Sequence, residues 1–78
     1  MEQRIKLIWD FRGPQAQHTA AHHKKHLEEY AFAEALTTPI TGTAVINELH
    51  HIAFLVVNPE EMKPVRDALK PHRGQHYQ

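Results

Sequence analysis

Six consecutive apolar residues, Ile52 to Val57, constrain this chain more than any other stretch of it. A strand sends alternate side chains to opposite faces, so Ile52, Phe54 and Val56 line one face and Ala53, Leu55 and Val57 the other. A strand apolar on both faces belongs in the middle of a sheet that is covered on both sides. The wider run, residues 43–57, is rich in β-branched and aromatic types but too long for an ordinary single strand. It reads as a hairpin, with one strand at Thr43 to Ile46, a turn centred on Asn47 and Glu48, and a second strand at His51 to Val57.

The remaining segments supply the partners that such a strand needs. Arg4 to Arg12 alternates, with Ile5, Leu7, Trp9 and Phe11 on one face and Lys6, Asp10 and Arg12 on the other, which predicts a half-buried strand. Ile8 breaks the pattern as an apolar residue on the polar face. Gly13-Pro14 stops the strand, and Pro14 suits the first turn of a helix because its fixed φ fits there. From Gln15 to Leu36 there is no Gly or Pro, and Ala16, Ala20, Leu27 and Ala31 form a stripe at helical spacing. Residues 37–42 read as a loop around Pro39 and Gly42. A second helix starts at Asn58 as N-cap, with Pro59 at its first position, Glu61 at the capping-box position and Met62, Val65 and Leu69 on its apolar face. Pro64 should kink or restart that helix, and Pro71 ends it. The tail is either frayed or a brief edge strand around Gln75 to Tyr77.

The order strand, helix, strand, strand, helix, with a short C-terminal strand as an option, resembles a ferredoxin-like split βαβ arrangement. It implies a single α+β domain over residues 1–78, βαββα in order, with helices on one face of an antiparallel sheet. At 78 residues the core is thin, since a chain of this size buries only roughly 60% of its unfolded surface. Helices on one face would leave Ile8 and one row of the central strand bare, and a face-to-face homodimer would cover them.

Composition removes several classes of function. Lys plus Arg and Asp plus Glu are both nine, so no broad field draws nucleic acid or anionic lipid. There is no cysteine, hence no disulfide, thiolate metal site or cysteine nucleophile. No apolar run approaches the ~20 residues that span a membrane, and no signal-peptide core opens the chain, so the expected location is cytoplasmic.

One anomaly remains: eight histidines, at His18, His22, His23, His26, His50, His51, His72 and His76. On a helix His22 and His26 are one turn apart, as are His18 and His22, and His23 and His26 are three apart. Such pairs put two imidazoles where one divalent ion can bridge them. The helical wheel sets His22 and His26 between core and solvent and His23 on the core margin. His50 and His51 open the central strand, where one of them faces the helical layer. The candidate metal ligands are therefore His22, His26, His51, His23 and His50, for Zn²⁺, Ni²⁺ or Cu²⁺. The i,i+4 pair is not a zinc-protease helix, because the residues between its two histidines, Lys24 and Lys25 among them, include no catalytic Glu. A second use of the cluster is protonation, which would make it repel itself in mild acid.

Weaker constellations are an anion pocket from Asp10, Arg12 and the Gly13-Pro14 helix start, and a His-Asp pair such as His51 with Asp10. No nucleophile stands out, so no catalytic residue and no organic cofactor is assigned and an enzyme is the less favoured class. The competing expectation is a non-catalytic interaction or small-ligand-binding module with histidines as ordinary surface residues.

Overall fold

The computed structural model describes residues 3–77. The first strand, β1, is Arg4–Arg12, as its alternation predicts. Gly13 follows at φ 108, a conformation open to glycine, and its N–H donates to the carbonyl of Leu49 at 2.8 Å. The first helix, α1, is Ala16–Ala33, with Gln15 rather than Pro14 at its entrance. Its buried residues are Ala16, Ala20, Leu27 and Ala31, the stripe read from spacing. It stops three residues before Leu36, because Ala35 turns to φ 51 and the Leu36 N–H folds back onto the Ala31 carbonyl.

The second strand, β2, is Ile40–Asn47 and the third, β3, is His50–Val57. β2 thus begins three residues earlier than its composition predicts, since pairing with β3 draws Ile40 opposite Val56 and Gly42 opposite Phe54. The turn is Glu48-Leu49, not Asn47-Glu48. Asn47 replaces the missing glycine by accepting the Leu49 N–H on its side-chain oxygen at 2.9 Å, and a register shift between Val45 and Asn47 absorbs the extra residue.

The second helix, α2, is Pro59–Leu69 and runs through Pro64 without a break. Glu60 and Pro64 are exposed, so the carbonyl that Pro64 leaves without a donor lies on the solvent side, where water can take it. Asn58 makes no side-chain cap, and Glu61 closes no capping box; Glu61 instead accepts the Thr37 N–H at 2.8 Å and ties the loop after α1 to α2. The last carbonyl of α2, on Leu69, accepts the indole N–H of Trp9 at 3.1 Å. The tail forms a full fourth strand, β4, Arg73–Tyr77, on the edge of the sheet.

The result is an α+β fold with four antiparallel strands in the order β2-β3-β1-β4. The order along the chain is β1-α1-β2-β3-α2-β4, so the sixth element that the sequence left optional is present. Both helices pack on one face, where Leu7, Trp9, Ala53, Leu55 and Val57 meet Ala20, Leu27 and Val65.

The opposite face departs from expectation. Ile8, Ile52 and Val56 were expected to be bare in a single chain, yet they are 1%, 4% and 0% exposed. The Phe54 ring lies on Gly42, where an added Cβ would sit 2.5 Å from the ring carbon Cζ. Lys6, paired with Val56, reaches across that strand to place Nζ 4.3 Å from the Phe54 ring centroid. Arg73, opposite Ile8 on the other side, binds Asp10. The row is thus covered within a single chain, and bare apolar surface on this face gives no reason for a face-to-face dimer. Among the described residues, the exposed large apolar ones are Phe32 on α1 and Val45, Ile46 and Leu49 near the β2–β3 turn.

Candidate functional site

The five histidines marked as ligands fall into three places. His50 lies on the open face of the sheet, because it shares the alternation of Ile52 and Phe54; its Nε2 is 2.8 Å from Asp10 Oδ1. Arg73 completes the group, with Nε 3.0 Å from Asp10 Oδ2 and a terminal nitrogen 3.1 Å from Oδ1. The Arg73 guanidinium holds the Asp10 carboxyl down at about 2; burial opposes this and the His50 bond adds to it. Asp10 is therefore ionised and accepts the Nε2–H of His50. The backbone N–H of Asp10 donates to His72 Nδ1 at 2.8 Å, and the His72 N–H donates to the Ile8 carbonyl.

Asp10 thus ties β1 to the first residue of β3 and to the first residue of β4. A carboxylate that orients an imidazole is half of a familiar catalytic arrangement, but no hydroxyl or thiol stands among its partners. Its chemistry here is that of a knot between strands. The pair expected of His51 with Asp10 is made by His50 instead.

His51 is on the helix-covered face, opposite Phe11 on one side and Val45 on the other. His23 is half-buried on the margin of the α1 stripe, its ring 4.9 Å from that of Trp9 and 5.4 Å from that of Phe11. Burial pushes its imidazole below the ordinary value, with His26, His72 and His22 contributing charge repulsion. Its Nε2 is buried with no hydrogen-bond partner. His23 acts as part of the aromatic packing.

His22 and His26 are the pair that the structure brings together. Their Nε2 atoms are hydrogen-bonded at 2.9 Å, one ring donating its N–H and the other accepting, and their ring centroids are 4.5 Å apart with the rings nearly perpendicular. Both residues are exposed, so they lie on the solvent side of α1 rather than between core and solvent. Glu29, one turn on, sets a carboxylate oxygen 3.7 Å from His26 Nδ1, the ring nitrogen that points away from His22. Lys24 is turned to the other side of α1, 3.6 Å from Glu28.

Among the described residues no group of three or more His, Cys, Asp or Glu side chains is placed to hold a metal ion, so His50, His51 and His23 add no third ligand to the pair. Nor does any helix among them have the length and apolarity to cross a membrane. The loop side of α1 carries a separate feature, a cleft of about 460 Å³ between its C-terminal turns and the start of β2, with Ala31, Phe32, Leu36 and Pro39 among its lining residues. No family model, no curated protein and no solved structure matches the chain.

Proposed function

We propose that the protein binds a divalent transition metal through His22 and His26. The observation that supports this is the 2.9 Å approach of the two Nε2 atoms on one exposed helix face. Two imidazole nitrogens each about 2.05 Å from an ion and at right angles about it are about 2.9 Å apart, whereas a tetrahedral ion would hold them about 3.3 Å apart. An ion that displaces the shared proton can thus take both nitrogens with little movement, and all-nitrogen ligation favours Cu²⁺ in the order of divalent affinities. Glu29 supports the same reading, because its carboxylate, 3.7 Å from His26 Nδ1, adds negative charge beside the site and so favours a bound cation. The scaffold in this reading is the ferredoxin-like, split βαβ arrangement, which the strand order supports.

The test is a calorimetric titration of Cu²⁺, Ni²⁺ and Zn²⁺ into untagged protein purified without a metal column. Stoichiometric uptake with Cu²⁺ tightest is expected, and the double substitution His22→Ala, His26→Ala should abolish it while leaving the circular dichroism unchanged. Full binding by that variant would overturn the assignment. A second reading, a non-catalytic interaction or small-ligand module, draws on Phe32, 89% exposed at the rim of the 460 Å³ cleft. A chain that takes up none of the three ions would favour it.

A further inference from the structure

We infer that His22 and His26 are half of a shared site, which a second copy of this chain completes with its own His22 and His26, so that one Cu²⁺ or Ni²⁺ ion joins two protomers through four imidazole nitrogens. This rests on the metal chelation proposed above and names its partner.

The ligand count comes first. A divalent ion of this kind takes four or more donors, and a single chain offers two, since no group of three candidate ligands occurs among the described residues. A pair on each of two helices supplies the missing two with the same chemistry. Two right-angled pairs fill a plane around the ion, which is the tetragonal geometry that Cu²⁺ and Ni²⁺ favour.

The surroundings of the pair permit the approach. Thr19, His22, His26 and Glu29 are all exposed, and the residues of α1 that face the sheet are Ala16, Ala20, Leu27 and Ala31, on its other side. Helical spacing sets Thr19, Glu29 and Ala33 on the same side as the pair, with His18 and Lys25 flanking it. Lys24 lies opposite and is engaged by Glu28. Lys25, exposed on the flank of this face, stands one turn before Glu29 as an i,i+4 pair of opposite charge, which offsets its repulsion of the ion. A two-fold axis through the ion makes the two pairs equivalent and closes the assembly at two copies, which is the self-complementary form that a single repeated patch allows. Because the ion binds the paired state, dimerisation follows metal concentration by mass action.

The experiment is sedimentation velocity on untagged, metal-free protein during titration with Cu²⁺, with the electron paramagnetic resonance spectrum recorded on the same samples. The expected result is a monomer without metal, a dimer complete at one ion per two chains, a spectrum split by four equivalent nitrogens, and return to monomer with a chelator. The double variant His22→Ala, His26→Ala, whose changes lie on solvent-exposed positions, should stay monomeric at the same metal concentration. One ion per chain on a monomer, with two nitrogens in the spectrum, would overturn the shared site and leave the chelation standing. Absence of uptake would overturn both. A dimer that forms equally without metal, or in the double variant, would place self-association elsewhere and overturn the inference.

Discussion

On the helix-covered face of the sheet, Leu55 and Val57 are buried by apolar side chains of α1 and α2; on the other face Ile8 and Val56 are buried as deeply with no helix over them. The first face uses the usual device of a second layer of secondary structure. The second uses side chains of the same sheet: Phe54 laid on Gly42, Lys6 laid on Phe54, and Arg73 locked onto Asp10. Long polar residues cover apolar neighbours with their aliphatic stems and keep their charges at the surface. The lesson is that an apolar residue on an open sheet face does not by itself call for a partner protein.

The sharpest comparison is between Leu55→Ala and Ile8→Ala. Removing a fully buried aliphatic side chain costs about 3 kcal/mol where the cavity cannot collapse. Leu55→Ala should lose about that much in urea unfolding, and Ile8→Ala a similar amount if the side-chain roof excludes water as a helix does. A loss below about 1 kcal/mol for Ile8→Ala, with Leu55→Ala unchanged, would show that the open face is wet and the two faces are not equivalent.

The next effect is at Asp10. A carboxyl whose folded-state pKa lies below its unfolded value adds stability that is complete above the unfolded value and disappears as pH falls through the folded one. For Asp10 the window runs from about 4, the unfolded value, to about 2. Since Arg73 is 48% exposed, solvent screening reduces the contribution to about 1 kcal/mol. Asp10→Asn should therefore destabilise by about that amount at pH 7 and flatten the pH profile between 4 and 2, read by thermal unfolding across that range. An unchanged profile would show that the strand knot carries no stability. The smallest effect belongs to Lys6→Ala, which strips the cover from Phe54 and should cost about 0.5 kcal/mol, lowered little by salt if the stem rather than the charge does the covering. Loss of the whole effect in high salt would assign it to the cation over the ring instead.

Much of this fold was readable along the chain. The bounds of β1, the four buried residues of α1 and the central place of β3 follow from periodicities of two and of 3.6, which depend on each element alone. The start of β2 did not follow, and β4 followed only as an option from Gln75 on, since Gly42 and Gly74 weaken a strand and are held in place by pairing with β3 and β1. Of the candidate ligands, the i,i+4 spacing of His22 and His26 was enough to bring them together. The partner of Asp10 is His50, one residue from the expected His51. The alternation that puts Ile52 and Phe54 with Ile8 also puts His50, not His51, with Asp10, so that signal was present. Arg73 had no such signal, because its place depends on how the chain returns after α2.

The sequence by itself determined which residues each element could bury, because helix and strand periods act over neighbours a few positions apart. It also determined that His22 and His26 lie a single turn apart on one helix. Tertiary structure alone decided that Asp10, His50 and Arg73 meet and that Lys6 and Phe54 roof the open face. Those contacts join positions some forty to sixty residues apart in the chain, and only the pairing of four strands in one register brings them within hydrogen-bond or van der Waals reach.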